Sequence, residues 1–321
     1  MRLLLFLLFI STPLMGATPK SLSFNSTQGL FNVGPTQYVT DDAGNTLAVW
    51  SVNNGRNIIL QAAYKPIGSD WQVSGSPLDP SQSVSYFYGS VIDWTVEMDR
   101  EGNVVVIWRI FNGSKIVVQV NYRAIGGSFS TAGDPRFQAN FLNDYRYSIT
   151  SLPQVGIGNG NAVILWFVNN GWNNVLQAST KSAATGFSQP GDPTLPSNVL
   201  NFLTYQTGRF NITTTPLFFV DKDGNAIVTW QLNNRVIGPQ VQVVQAVTKF
   251  VGASFEIAGD PQRQENILSP VNFSISSLEE STIGSGNATV FWKRVDQTTR
   301  NLILQAAFKP INGVWEKPPL N

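Results

Sequence analysis

The sequence predicts an all-β fold, a five-bladed β-propeller of four-stranded antiparallel blades. Three observations carry that expectation. One motif occurs five times, as DDAGNTLAVW (41–50), DREGNVVVIW (99–108), GNGNAVILW (158–166), DKDGNAIVTW (221–230) and GSGNATVFW (284–292). A glutamine follows each tryptophan (Gln61, Gln119, Gln177, Gln245, Gln305), and a large aromatic stands ten residues past each glutamine (Trp71, Phe129, Phe187, Phe255, Trp315). Helical periodicity is absent after the first 17 residues, so no competing fold class arises.

The elements of one unit follow in order. A short first strand precedes the Gly-Asn turn, as in WTVEMD (94–99) and PLFFVD (216–221). The second, such as NTLAVWSV (45–52) or NAVILWFV (161–168), is apolar on both faces, the mark of a strand covered on both sides. A polar turn leads to the third strand, NIILQAAYK (57–65) or NLILQAAFK (301–309). A fourth, weaker strand is expected around the late aromatic. Four units close on Asp-Pro, at Asp79, Asp134, Asp192 and Asp260. The repeat cores are 37–80, 94–135, 153–193, 216–261 and 275–321, joined by long connections; residues 18–36 read as a fifth connection. No unit can cover both faces of its second strand alone, so the units must pack on one another.

Arg2 followed by LLLFLLFI (3–10) and the small residues Gly16 and Ala17 reads as a secretory signal peptide over 1–17, cut near Gly16/Ala17. The remaining 18–321 is then one domain, secreted or periplasmic, and no stretch is apolar for long enough to predict a membrane helix. Lys plus Arg number 21 against 20 Asp plus Glu, which lacks the basic excess of a nucleic-acid binder. With no histidine and no cysteine, His-based triads, thiol nucleophiles, disulfides and almost all zinc sites are excluded. No cofactor is expected.

Repeats of the form D-x-x-G-N-x-x-x-x-W followed by L-Q-A resemble the propeller-like repeats of bacterial secreted proteins loosely termed sialidase-like. The resemblance covers residues 37–321. It implies a propeller fold and a secreted location and carries no agreed activity. The glycine-to-tryptophan spacing is longer here than in the sialidase Asp-box, so the aromatic belongs to the strand and not to the turn.

The 221–230 copy raises the question of calcium. Asp221, Asp223 and Asn225 match the first ligands of an EF-hand loop, but Ala226 and Leu232 stand where glycine and the bidentate glutamate are needed. Two copies lack the acids altogether. The motif therefore reads as a turn whose Gly and Asn tolerate positive φ, with the acids solvated around it and no metal site. The repeated glutamines read as satisfying backbone groups between blades, and the tryptophans as core.

Two functional readings remain, with a purely structural module as a third possibility. Propeller glycosidases use carboxylates on innermost strands, and the candidates here are Asp93, Glu97, Glu279 and Glu280. The second reading is a non-enzymatic binding module. The turn between second and third strands offers Arg56, Lys115, Trp172, Arg235 and Arg300, and adjacent connections add Tyr86 and Tyr145. Aromatic rings, cations and amides on one loop-rich face suit a glycan or an extracellular protein as partner of a monomer.

Overall fold

The computed structural model describes residues 31–72, 74–203, 210–234, 241–270, 275–296 and 299–319. The expected signal peptide and Arg235 lie outside the described residues. Five antiparallel sheets follow one another along the chain. Sheet 1 holds β1 (Val33–Thr40), β2 (Thr46–Asn53) and β3 (Ile58–Lys65); sheet 2 holds β4 (Val91–Met98), β5 (Val104–Phe111) and β6 (Ile116–Arg123). Sheet 3 holds β7 (Gln154–Gly158), β8 (Asn161–Asn169) and β9 (Asn174–Lys181). In sheet 4, β10 (Phe210–Ile212) and β11 (Leu217–Val220) share one edge of β12 (Ala226–Asn234), and β13 (Gln242–Lys249) takes the other. Sheet 5 holds β14 (Ile275–Gly284), β15 (Asn287–Val295) and β16 (Leu302–Lys309). Among the described residues the helical segments are four short 3-10 turns.

The double-sided apolar pattern of the central strands is explained by sheet-on-sheet packing. Leu47, Val49 and Leu60 of sheet 1 pack against Val106 and Trp108 of sheet 2. Ile107 and Val118 meet Trp166, Leu165 and Leu176 meet Trp230, and Ile227 and Val244 meet Trp292. The tryptophan face of sheets 2 to 5 thus covers the opposite face of the sheet before each. All five repeat tryptophans are at most 1% exposed. First strands touch in succession, β1 to β4, β4 to β7, β7 to β11 and β11 to β14. They form the inner side of the assembly.

The expected fourth strand is not built. It is reduced to single bridges, Tyr64 with Gln72 and Phe308 with Glu316, and to isolated bonds such as Ser188 N–H to Thr180 O at 2.9 Å. Serine and asparagine side chains take over the outer edge of the third strand. Ser74 Oγ donates to Ala62 O at 2.5 Å, and Asn121 Nδ2 donates to Ser130 O. With side chains satisfying the edge, a backbone ladder has nothing left to pair.

The Gly-Asn turn comes in two constructions. In units one, two and four an aspartate opens it: Asp41, Asp99 and Asp221 accept the backbone N–H of Asn45, Asn103 and Asn225 at 2.8 Å with one oxygen. The other oxygen accepts the same asparagine's side-chain amide at 2.8–2.9 Å. These aspartates are only 5–6% exposed, so the expectation of solvated acids is corrected: they are buried and fully used. Units three and five use two-residue turns, Asn159-Gly160 and Ser285-Gly286, with positive φ at both positions. The glycine has positive φ in all five copies. The asparagine is kept for another reason. Its side-chain oxygen accepts the N–H of Ile67, Ile125, Ala183, Val251 or Ile311, tying the inner turn to the turn that leaves the third strand.

The glutamines also act differently from expectation. They serve their own unit, not the gap between sheets. Gln119, Gln177 and Gln245 each donate twice, to the carbonyls of Gly133 and Asn140, Gly191 and Asn198, and Gly259 and Asn266, at 2.8–3.0 Å. Each stands opposite its tryptophan in the ladder, and Trp108 and Trp292 donate indole N–H to Gln119 and Gln305 at 3.2 Å. A buried amide thereby pins the Asp-Pro connection onto the third strand.

Candidate functional site

Opposite the Gly-Asn turns, each sheet ends in the turn between its second and third strands. An asparagine four residues after the tryptophan shapes it. Asn54 Oδ1 accepts the N–H of Arg56 and Asn57, Asn112 those of Ser114 and Lys115, and Asn170 those of Trp172 and Asn173. Asp296 replaces it in unit five and accepts Thr299 N–H at 2.7 Å. Gly55, Gly113 and Gly171 supply the positive φ that the corner requires. The tip residues are therefore Arg56, Ser114 and Trp172. Lys115 occupies the place of Asn57 and Asn173, so it is not the counterpart of Arg56. Trp172 is 40% exposed, and Arg300, at φ +62°, is exposed.

The connections carrying the tyrosines run along the same end. Asn57 Nδ2 donates to Phe87 O at 3.3 Å and Ile58 N–H to Ser90 Oγ at 3.2 Å, binding the first tip to the Tyr86–Tyr88 segment. Tyr86 is half-buried, with its ring edge-on to Tyr88 at 5.9 Å; burial and the nearby Asp134 push its phenol up from the usual value. Tyr145 is 60% exposed, and its neighbour Arg146 bridges Asp144 and Asp192 at 2.7 Å each. The connections of this face thus hold Arg136 and Arg146 in ion pairs, while Tyr145 and Trp172 present aromatic surface outward.

Between sheets 1 and 2, at this end, lies a cavity of about 540 Å³. Val33, Ile58, Ile92 and Trp94 give it apolar walls, and Asn32, Gln37, Asn53 and Asp93 bring polar groups. Asp93 is not a free acid. Arg109, on the neighbouring strand, donates Nε to one carboxylate oxygen at 2.8 Å and Nη2 to the other, a fork that holds Arg109 charged.

The other carboxylate candidates fall apart as a constellation. Glu279 accepts Lys293 Nζ at 2.8 Å, which holds its carboxyl below the ordinary range. Lys293 follows Trp292 as Arg109 follows Trp108, so Asp93 and Glu279 are the acids of two corresponding ion pairs. Glu280 is exposed and stands opposite Phe291. Glu97 sits near the Gly-Asn end of β4, where desolvation raises its carboxyl. Four residues of strand, about 13 Å, separate it from Asp93. A glycosidase pair needs its carboxyls within about 10 Å.

Two features were missed in the sequence although their signals were present. One is the turn-shaping asparagine. The other is a cation four residues after every glutamine. Arg123, Lys181, Lys249 and Lys309 are only 4–7% exposed, and Arg123 and Lys181 lie over the rings of Tyr64 and Tyr122 of the preceding unit at 4.1 and 3.9 Å. Arg123 and Lys181 thus stack across the seam between sheets, and Lys309 crosses its own seam to donate to Thr248 Oγ1 at 3.0 Å. Among the described residues no group of acids, histidines or cysteines could hold a metal ion, and no helix is long and apolar enough to cross a membrane.

No protein-family model matches the chain, nor does any curated protein. Solved structures align over most of its length. A protein of unknown function from Dyadobacter fermentans DSM 18053 aligns at 8% identity and a TM-score of 0.36, over 89% of this chain and 81% of its own. The polysaccharide lyase Uly1 aligns at 10% identity and 0.37, over 85% and 77%. Zg3597, a family 117 glycoside hydrolase of the marine bacterium Zobellia galactanivorans, aligns at 11% and 0.32, over 89% and 86%. Likenesses this slight bear on neither activity nor substrate, and function rests on the chain's own residues.

Proposed function

We propose that this chain is a secreted or periplasmic five-bladed propeller that binds a glycan at the tip-bearing end, centred on the cavity between sheets 1 and 2, without turning it over. The cavity carries this reading. Apolar walls for sugar faces stand beside amides for hydroxyls, with one carboxylate fixed in orientation by Arg109. Arg56 stands at the lip, because Asn53 and Ile58 of its turn line the cavity. Trp172 and Tyr145 extend the same end with aromatic surface. A glycan-array screen of the purified protein, with Asp93→Asn, Arg56→Ala and Trp172→Ala beside it, tests the proposal. Binding lost in Asp93→Asn and weakened in the other two is the expected result. Binding untouched by all three removes the site, and binding to no glycan removes the ligand class.

One observation favours a second reading as a hydrolase, the desolvated Glu97, whose raised carboxyl suits a general acid. Turnover of any glycan that stops in Glu97→Gln would establish it.

A further inference from the structure

Each third strand ends on a cation, and what faces that cation differs from seam to seam. At the seam between sheets 4 and 5, Lys309 donates to Thr248 Oγ1 at 3.0 Å and to one carboxylate oxygen of Glu256. Glu256 is fixed in place. Its N–H donates to Thr248 O at 3.1 Å, and its other carboxylate oxygen accepts from Thr248 Oγ1 at 2.9 Å. The chain thus supplies this cation with an acid of its own.

Arg123 ends the third strand of sheet 2 and faces sheet 1 in the same way. Across that seam Tyr64 takes the position of Thr248 and Gln72 that of Glu256. Gln72 N–H donates to Tyr64 O at 2.7 Å, just as Glu256 N–H donates to Thr248 O. The backbone frame is kept, and the carboxylate is gone. Arg123 is only 5% exposed and lies over the Tyr64 ring at 4.1 Å. Its one hydrogen bond among the described residues runs from Nε to Gly127 O at 2.8 Å. Nη1 is buried with no partner.

A guanidinium cannot shed its proton to escape burial, as a lysine can. Lys181 and Lys249 show the contrast. Each rests its ammonium on a backbone carbonyl, of Ser182 at 2.8 Å and of Phe250 at 3.4 Å, and burial pulls both below the usual lysine range.

Arg123 lines a cavity of about 330 Å³ between sheets 1 and 2, on the third-strand side and apart from the cavity at Asp93. That volume stands at the small end of the usual ligand-pocket range of roughly 300–1,000 Å³. No acid lines it. Ser74 and Ser83 already donate their hydroxyl protons to Ala62 O and Ser85 O. The Gln72 amide and the Ser128 hydroxyl are exposed at its mouth and make no hydrogen bond among the described residues. The site offers a buried positive charge and two free polar groups, with no negative charge to answer it.

We infer that this cavity binds a small hydroxylated carboxylate, of the size of one sugar acid. Its carboxylate meets the unbonded edge of Arg123, taking the place that Glu256 takes at Lys309. Its hydroxyls meet Gln72 and Ser128.

Isothermal titration calorimetry of the full chain with sodium glucuronate, glucose and sodium sulfate tests this. Glucuronate should bind and glucose should not. Arg123→Gln should weaken glucuronate roughly tenfold or more, since a charge-assisted bond is lost. Gln72→Glu is the sharper variant, because it restores within the chain the acid that Glu256 provides. It should raise the melting temperature while weakening glucuronate by at least the same factor, and it keeps the test decisive if Arg123→Gln fails to fold. Absence of glucuronate binding overturns the inference, and so does binding that neither variant weakens. Sulfate bound as tightly as glucuronate would reduce the site to an unselective anion site and overturn the carboxylate assignment.

Discussion

Asp99 holds Asn103 at both ends, one carboxylate oxygen on the backbone N–H at 2.8 Å and the other on the side-chain amide at 2.9 Å. The second oxygen also accepts Gly160 N–H from the next unit at 2.7 Å. One buried carboxylate therefore shapes its own turn and locks the neighbouring one.

The same clamp at Asp221 yields the first prediction. Asp221→Ala should cost about 3 kcal/mol, since charge-assisted bonds are lost and a buried amide is left without a partner. Urea denaturation measures the loss. Calcium and EDTA should leave the melting temperature of the unaltered protein unmoved; a clear rise with calcium would restore the ion-binding reading of the loop.

Gly102 adopts φ +93°, and a Cβ there would stand 2.8 Å from Asp41 Oδ2 of the preceding unit. Gly102→Ala is expected to destabilise by roughly 2 kcal/mol or more, from left-handed backbone strain and crowding together. Gly113→Ala is the informative partner. Its φ is +96° but nothing lies near its Cβ, so it should show the strain alone and cost less. Equal losses would deny the contact between units.

Replacing Gln177 by leucine strands the carbonyls of Gly191 and Asn198. A loss of about 2–4 kcal/mol follows if each buried acceptor carries its desolvation cost. Chemical denaturation of Gln177→Leu against Gln245→Leu should give matching values, because the two amides make the same bonds. A near-neutral outcome would mean that the connections stay docked without the amide.

Glu97 gives a pH signature. Glu97 keeps exposed surface, but the strands around it partly desolvate its carboxyl, which therefore binds the proton more tightly in the fold than in the unfolded chain. The stabilisation is complete below the unfolded value, near 4.5, and is lost as pH rises through the higher folded value. Glu97→Gln should flatten that fall and match or exceed the original melting temperature at pH 7. Melting curves between pH 4 and 7 decide it; parallel profiles would show that Glu97 is solvated.

Much of this architecture can be read in the residues because the repeat writes it five times. Trp50, Trp108, Trp166, Trp230 and Trp292 each announce a strand covered on both sides; the first four are such strands, while the strand of Trp292 alternates buried and half-buried residues. Elsewhere the same letters admitted two structures. Ser74 turns its side chain onto the third strand and Asn121 turns its own outward from that strand to Ser130 O, and these local choices remove the fourth strand that the aromatics suggested. The pairing of Asp93 with Arg109 spans two strands, so only the register reveals that a candidate acid is already engaged. The docking of the connections on the third strands was equally hidden: Ser85 accepts Leu60 N–H and Asn143 accepts Val118 N–H, different residues doing one job, recognisable only by their partners.

The asparagine that bonds Ile67 in unit one, and its counterpart in every other unit, fastens only one end of each sheet. At the far end Arg56, Ser114 and Trp172 share a backbone corner and nothing of their chemistry. Each repeat is thus divided into a conservative half and a permissive half. Substitution at the permissive tips changes what the surface offers without reaching the core, so the chain is a natural frame on which new specificities could be selected one tip at a time.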